Sequence, residues 1–315
     1  MKYPLILSLW LLSLKPALGC DVCGCGIRDG SVSMGLTQSI PSNIFLASWQ
    51  QFGYQTDFRE SSGDDLYRVQ DLVNRYSIQY IHQINKKTQL NLSSSIQQTQ
   101  RHNTYNQNLT SSIMAPGDLF TSLNYKILDN RNNIFSKQQW FWMIGATLKL
   151  PTGHYQARDQ NKARLPMHLQ AGNGSYSQGI QNFLSLRWKS WGISTQYQLL
   201  NHASNELDYQ QGRNQLIQIG MNKTIFRNKK YTVVPMVSWI GQWIRPDREF
   251  NQMVPHTGGH FQNVQFQVEW IYKNAYIMIQ HARPIFMSIP SNAPQIQSTS
   301  RVSVGWVFSE RMKDK

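Results

Sequence analysis

Trp140–Gly153 reads WFWMIGATLKLPTG. Side chains of an extended chain alternate between two faces, so Trp140, Trp142, Ile144, Ala146, Leu148 and Leu150 share one side. Phe141, Met143, Gly145, Thr147 and Lys149 share the other. A half-buried strand of a soluble sandwich also alternates, but it is usually shorter and does not open its apolar side with two tryptophans. Aromatics at one end, aliphatics in the middle and a more polar second face are the pattern of a strand crossing a bilayer, with lipid on one side and a lumen on the other. Pro151 cannot extend the hydrogen-bond ladder and Gly153 supplies turn freedom, so the strand ends there.

Composition agrees with this reading. The chain has 315 residues and a mean hydropathy of −0.46, with 15% charged and 12% aromatic residues, including 10 Trp and 14 Tyr. Low charge with abundant Gln, Asn, Ser, Trp and Tyr fits a barrel with a polar interior and aromatic interfaces better than an ordinary globular core. Residues 1–19 read as an export signal peptide: Met1-Lys2, an apolar run from Leu5 to Leu14, and Ala17-Leu18-Gly19 as the cleavage site. Acylation of Cys20 after cleavage is an alternative fate for the new N-terminus. No later stretch approaches the roughly eighteen apolar residues of a membrane helix, so any crossing is by strands. The net charge of +14 is scattered along the chain rather than gathered into a stripe, which argues against nucleic acid as a partner. Many of the cations fall at predicted turns, such as Lys86-Lys87 and Arg227 to Lys230, where they serve solubility and meet anionic headgroups.

Outward from Trp140–Leu150 the same period recurs. Leu119, Thr121, Leu123, Tyr125 and Ile127 alternate on the strand before it, and Leu184, Leu186 and Trp188 on the strand after. The clearest case sets Val264, Phe266, Val268, Trp270 and Tyr272 against Asn263, Gln265, Gln267 and Glu269. About twelve strands are expected from residue 43 to residue 309. Sharp turns such as Asn85-Lys86-Lys87, Ser190-Trp191-Gly192 and Lys273-Asn274 alternate with longer connections at 59–70, 101–117, 151–178, 201–212 and 245–259. An even-stranded antiparallel meander of this kind is expected to close into a single all-β transmembrane barrel, with short turns on the periplasmic side and long loops outside. A soluble sandwich or lipocalin-like barrel is the competing arrangement. Pro235 lies inside one predicted strand, which signals an edge or a bulge. Residues 20–42 are expected to form a periplasmic segment and residues 310–315 a polar tail.

PGDLFTSLNYKIL (Pro116–Leu128), LKLPTG (Leu148–Gly153), LQAGNGS (Leu169–Ser175) and the closing HTGGHFQNVQFQVEW, ARPIF and RVSVGWVF stand in an order that resembles the transporter-like outer-membrane barrels of the phenol-degradation meta-pathway family. The resemblance covers about residues 110–308. It implies a bacterial outer-membrane location, lipid partners and uptake of small, often hydrophobic solutes. It brings no catalytic residues, so a non-enzymatic protein is expected. The CDVCGCG start resembles a variant found in some bacterial members.

Candidate chemistry lies in three places. Lys126, Lys149, Arg187, Lys189, Glu269, Lys273, Arg283 and Arg301 are expected to face the lumen, where an excess of bases would favour anions if the pore is open. Twelve strands enclose a narrow interior, however, and salt-bridged side chains with an inward-folded loop would fill it equally well. Cys20, Cys23 and Cys25 are the only cysteines and lie within six residues. Their alternatives are a soft-metal site for Cu(I) or Zn(II), a redox or inert pair, and lipidation. His202, Ser204 and Glu206, in Asn201-His-Ala-Ser-Asn-Glu206, resemble the H-x-S-N signature of outer-membrane phospholipases and lipid A deacylases, which implies a lipid acyl hydrolase as the alternative activity. His256 and His260 flank a flexible Thr-Gly-Gly and read as a solvated loop rather than a metal site, as do His154 and His168.

Overall fold

Alternation carried around the whole sheet, rather than any one strand, closes this chain into a ring. The computed structural model describes residues 43–59, 66–103, 110–131, 138–159, 162–227, 231–290 and 294–308. The expected signal peptide, the segment with Cys20, Cys23 and Cys25, and the polar tail lie outside the described residues. Twelve antiparallel strands form a closed barrel. They are β1 Asn43–Arg59, β2 Leu66–Gln83, β3 Thr88–Asn103, β4 in two segments (Thr110–Pro116 and Leu119–Asp129), β5 Gln138–Leu150, β6 Ser177–Trp188, β7 Trp191–His202, β8 Asn214–Lys223, β9 Tyr231–Ile244, β10 Gly259–Tyr272, β11 Ala275–Ser288 and β12 Gln295–Phe308. Each pairs with its chain neighbours, and β12 pairs with β1 from Asn43↔Phe308 to Gln55↔Gln295.

The two faces differ as the period requires. Ile78, Ile144, Ile180, Ile219, Phe266 and Val304 point outward and are exposed. An apolar band of this extent around a closed barrel matches hydrocarbon rather than water. Trp140, Trp188, Trp191, Tyr272 and Trp306 form its rim beside the short turns. Cations from those turns lie over these rings: Lys87 over Tyr125 at 6.0 Å, Lys189 over Trp188 at 5.4 Å, Lys223 over Trp191 at 4.7 Å and Lys273 over Tyr272 at 5.4 Å. The inward face is polar at mid-height and apolar toward both ends. Ile44, Leu46, Ile81, Tyr276 and Met278 cluster near the short turns, and Phe141, Met143, Phe183 and Met236 form a second cluster there.

One departure from the sequence reading has a physical cause, and one irregularity falls where the sequence places it. The stretch Arg101–Gly117, expected as a long connection, is instead mostly hairpin: β3 runs on to Asn103, and the first segment of β4 pairs with it from Ile96↔Pro116 to His102↔Thr110. Its inward face is buried but polar, with Gln97 and Thr99 bonded to Leu169, and its outward face carries Gln98 bonded to Ser112, so no apolar alternation marks it. Pro235 lies at a bulge, as expected: three residues, 223–225, oppose two, Val234 and Pro235. The ladder from β9 to β8 stops at Met236↔Asn222 and pairing resumes at Val233↔Phe226, so the missing amide proton falls in the interruption.

Candidate functional site

The longest connection does not stand away from the barrel. Residues 151–176 fold back into the mouth opposite the short turns, where Leu165, Leu169 and Ala157 pack against inward-facing Phe52, Tyr54, Val73, Ile244, Phe261 and Ile296. Met167–Leu169 makes a single 3-10 turn whose three side chains are buried. The Leu169 carbonyl accepts hydrogen bonds from Gln97 Nε2 at 3.0 Å and Thr99 Oγ1 at 3.1 Å on β3. Gln170 is fully buried and braces the loop from within, bonding the amide and carbonyl of Ala157 and the carbonyl of Leu165. The His168 ring meets Tyr54 edge-on at 5.2 Å.

A polar clasp holds both ends of this plug. Asp118 occupies the gap between the two segments of β4. Its Oδ2 is 2.9 Å from Lys149 Nζ, and both side chains are almost wholly shielded from solvent. Asp118 Oδ1 accepts from the Gly153 amide at 2.9 Å, and Oδ2 from the Asn173 amide at 3.2 Å. Lys149 also donates to Asn173 Oδ1, and Asn173 Nδ2 donates to Gln211. The glycines permit this approach: a Cβ on Gly153 or Gly172 would come within 2.8 Å of Asp118 atoms. PGDL, LKLPTG and LQAGNGS therefore converge on one carboxylate.

Below the plug the lumen wall is lined mainly by amides and hydroxyls, with Arg75 and Arg301 on either side of Gln50. Ser48 bonds Ser303 across the β1–β12 seam at 2.8 Å. Asn91, Ser122 and Thr147 lie side by side in register on β3, β4 and β5. Gln181 faces Gln198, and Gln196 faces Gln218, across the β6–β7 and β7–β8 ladders. On the far wall Gln280 donates to Gln265 at 2.9 Å, Gln265 to Gln267 at 3.0 Å and Gln267 to Glu269 at 2.6 Å. This amide-lined middle was missed as a site in the sequence, although its signal was present as Gln, Asn and Ser opposite each apolar position.

The predicted lumen residues separate into two groups. Lys126, Lys149 and Glu269 are buried on the inner face, and Arg187 and Arg301 share that face by parity. Lys126 donates to Gln83 Oε1 at 2.9 Å near the short-turn end. Lys189 and Lys273 instead occupy left-handed positions in two-residue turns, with φ of 55° and 53°, and are exposed. Extending the strand period through the turn misplaced them. Arg283 also lies outside: Ala282 and Gln280 take the inward positions of β11, and Arg283 pairs with outward-facing Val264.

The hydrolase constellation is not assembled. His202 is buried with Nδ1 2.7 Å from Ser177 Oγ, whereas Ser204 is exposed and bridges Gln210 through its backbone. Glu206 accepts from Tyr155 Oη at 3.0 Å. Departure from the strand after His202 turns Ser204 away, so the same-side geometry expected of an extended chain is lost. His256 is exposed, and His260 stacks on Trp243 at 4.7 Å. Among the described residues no three His, Cys, Asp or Glu side chains form a metal-binding group.

The architecture thus belongs to the class of closed antiparallel barrels found among outer-membrane proteins. An outer membrane channel from Pseudomonas putida F1 superposes with a TM-score of 0.62 at 12% identity, covering 85% of this chain and 95% of that one. The translocator domain of the autotransporter NalP from Neisseria meningitidis gives 0.44 at 10% identity over 90% and 94% of the two chains. LpxR from Salmonella typhimurium gives 0.43 at 7% identity over 85% and 100%. No protein-family model and no curated protein matches the sequence.

Proposed function

We propose that this protein is an outer-membrane channel that passes a small solute and is held closed by the 151–176 plug. The carrying observation is the pairing of an apolar outer surface with an amide-lined interior beneath a loop clasped by Asp118 and Lys149. Solute enters from outside when the clasp releases, crosses the amide-lined middle and leaves past the Phe141–Met236 cluster. The short-turn end faces the periplasm, where its lysines meet lipid headgroups. Export through a cleaved leader delivers the chain to that membrane. The likeness of fold to the channel from Pseudomonas putida F1 supports this reading, as does the resemblance of the motif order to the phenol-degradation transporter-like barrels. Cys20, Cys23 and Cys25 on the periplasmic segment would carry a soft cation, Cu(I) or Zn(II), as an accessory to passage.

Planar-bilayer recording is the direct test. The wild type should open rarely, and a protein whose plug is shortened by deleting residues 157–168 should conduct continuously. No conductance from either, with both barrels folded, refutes the proposal.

A further inference from the structure

We infer that the middle of the barrel is a binding tract for small hydroxylated solutes, uncharged or bearing one carboxylate, an inference that rests on the channel reading. Two walls of different character face each other there. On β2, β3 and β5, Ser77, Ser93 and Gly145 are short inward residues that remain partly exposed, so this side leaves room. On β7, β8 and β11, across the ring, Gln196, Gln218 and Gln280 extend long amides. Among the described residues, Gln196 Oε1, Gln218 Nε2 and Gln280 Oε1 have no hydrogen-bond partner although each side chain is more than nine-tenths buried.

A buried amide atom without a partner costs about 1–3 kcal/mol, so a native site seldom leaves several together unless something else meets them. Both donors and acceptors are left over, on side chains that carry no charge. That combination matches hydroxyl groups, which donate and accept at once. An apolar molecule would leave every one of these atoms unmet, and an inorganic ion would find no charged shell.

The charge at this level sets the sign. Arg301 pairs in register with Gln280 and Gln50, and its Nε also has no hydrogen-bond partner. Arg75 lies at the same level, paired in register with the other side of Gln50, and donates to Gln97 at 2.8 Å, so it adds to the same sign. The remaining inward charges are engaged or lie at another height. Lys149 is bound to Asp118, and Arg101 to Asp71 at 2.8 Å. Glu269, nearer the short turns, takes bonds from Gln267 and Tyr276, and Lys126 lies at the short-turn end. A carboxylate beside Arg301 is therefore favoured and an ammonium opposed.

Liposome swelling with glucose, gluconate and glucosamine, three molecules of similar size, tests the inference on the plug-shortened protein. Glucose and gluconate should enter several-fold faster than glucosamine. The Arg301→Gln variant should narrow the gap between gluconate and glucosamine, and the Gln196→Leu/Gln218→Leu pair should slow glucose several-fold. Heat-modifiable mobility on gels confirms that each barrel is folded. Equal entry of all three solutes, or unaltered glucose entry in the double variant, overturns the binding tract while leaving the channel intact. Absence of flux for every solute overturns the channel reading itself.

Discussion

Replacing Asp118 by Asn removes one charge from the clasp and little volume. The lost carboxylate leaves the Lys149 ammonium, fully buried and 2.9 Å from its former partner, without a counter-charge. Breaking one side of a buried pair in this way costs about 3–5 kcal/mol, because the orphaned ion keeps its desolvation penalty. The barrel can relieve that cost without unfolding by letting 151–176 lift and water reach Lys149. At ~1.4 kcal/mol per factor of ten, the ratio of closed to open plug should fall roughly a hundred- to a few-thousand-fold. Single-channel recording reads this as a rise in open probability. Lys149→Met added to Asp118→Asn removes the orphaned charge, so the double variant should largely reclose and the two substitutions should be strongly non-additive. Unchanged open probability in Asp118→Asn, or a double variant no more closed than the single, would refute the argument.

Three further outcomes follow from other parts of the molecule. Leu169→Ala removes a fully buried side chain from the plug–wall contact and should weaken docking by about 2–5 kcal/mol, seen as faster hydrogen exchange across 162–176 with β5 and β6 unaffected. Ile180→Arg places a cation on the outward face and should destabilise the bilayer-inserted barrel by about 2–4 kcal/mol in urea unfolding, whereas Arg283→Gln near the outer rim should change little. Truncating Lys189 and Lys273 together should cost about 0.5–1 kcal/mol per cation–ring contact; stability that is independent of anionic lipid, in wild type and variant alike, would exclude the headgroup role.

Much of this architecture is legible because a bilayer demands a simple code. Trp140 to Leu150 declares its faces within eleven residues, and Phe141, Met143, Thr147 and Lys149 are indeed the buried members. The code weakens where the inner face meets a folded-in loop through polar side chains such as Gln97 and Thr99, which hides the upper β3–β4 hairpin. It also weakens where the chain leaves the strand, as at Lys189, Lys273 and Ser204. Arg283 shows a different limit: Tyr276 to Ile279 are apolar on both faces, so the period does not fix which side of β11 is inward, and close to the rim a long cation on the outer face reaches the headgroups. The clasp was hidden for another reason. Lys149 finds Asp118 31 residues away and Asn173 24 away, and no local period connects a strand gap to a loop that folds inward.

The seam between β1 and β12 has a consequence for assembly. Ser48 meets Ser303 over a separation of 255 residues, so the ring is completed by the two ends of the barrel sequence, and every intermediate before that moment carries two unsatisfied strand edges. Such long-range zippering is slow, and open edges recruit other chains. Cutting even the last few residues of β12 should therefore damage biogenesis far more than an equal deletion at a loop tip, leaving a curled sheet that aggregates instead of inserting.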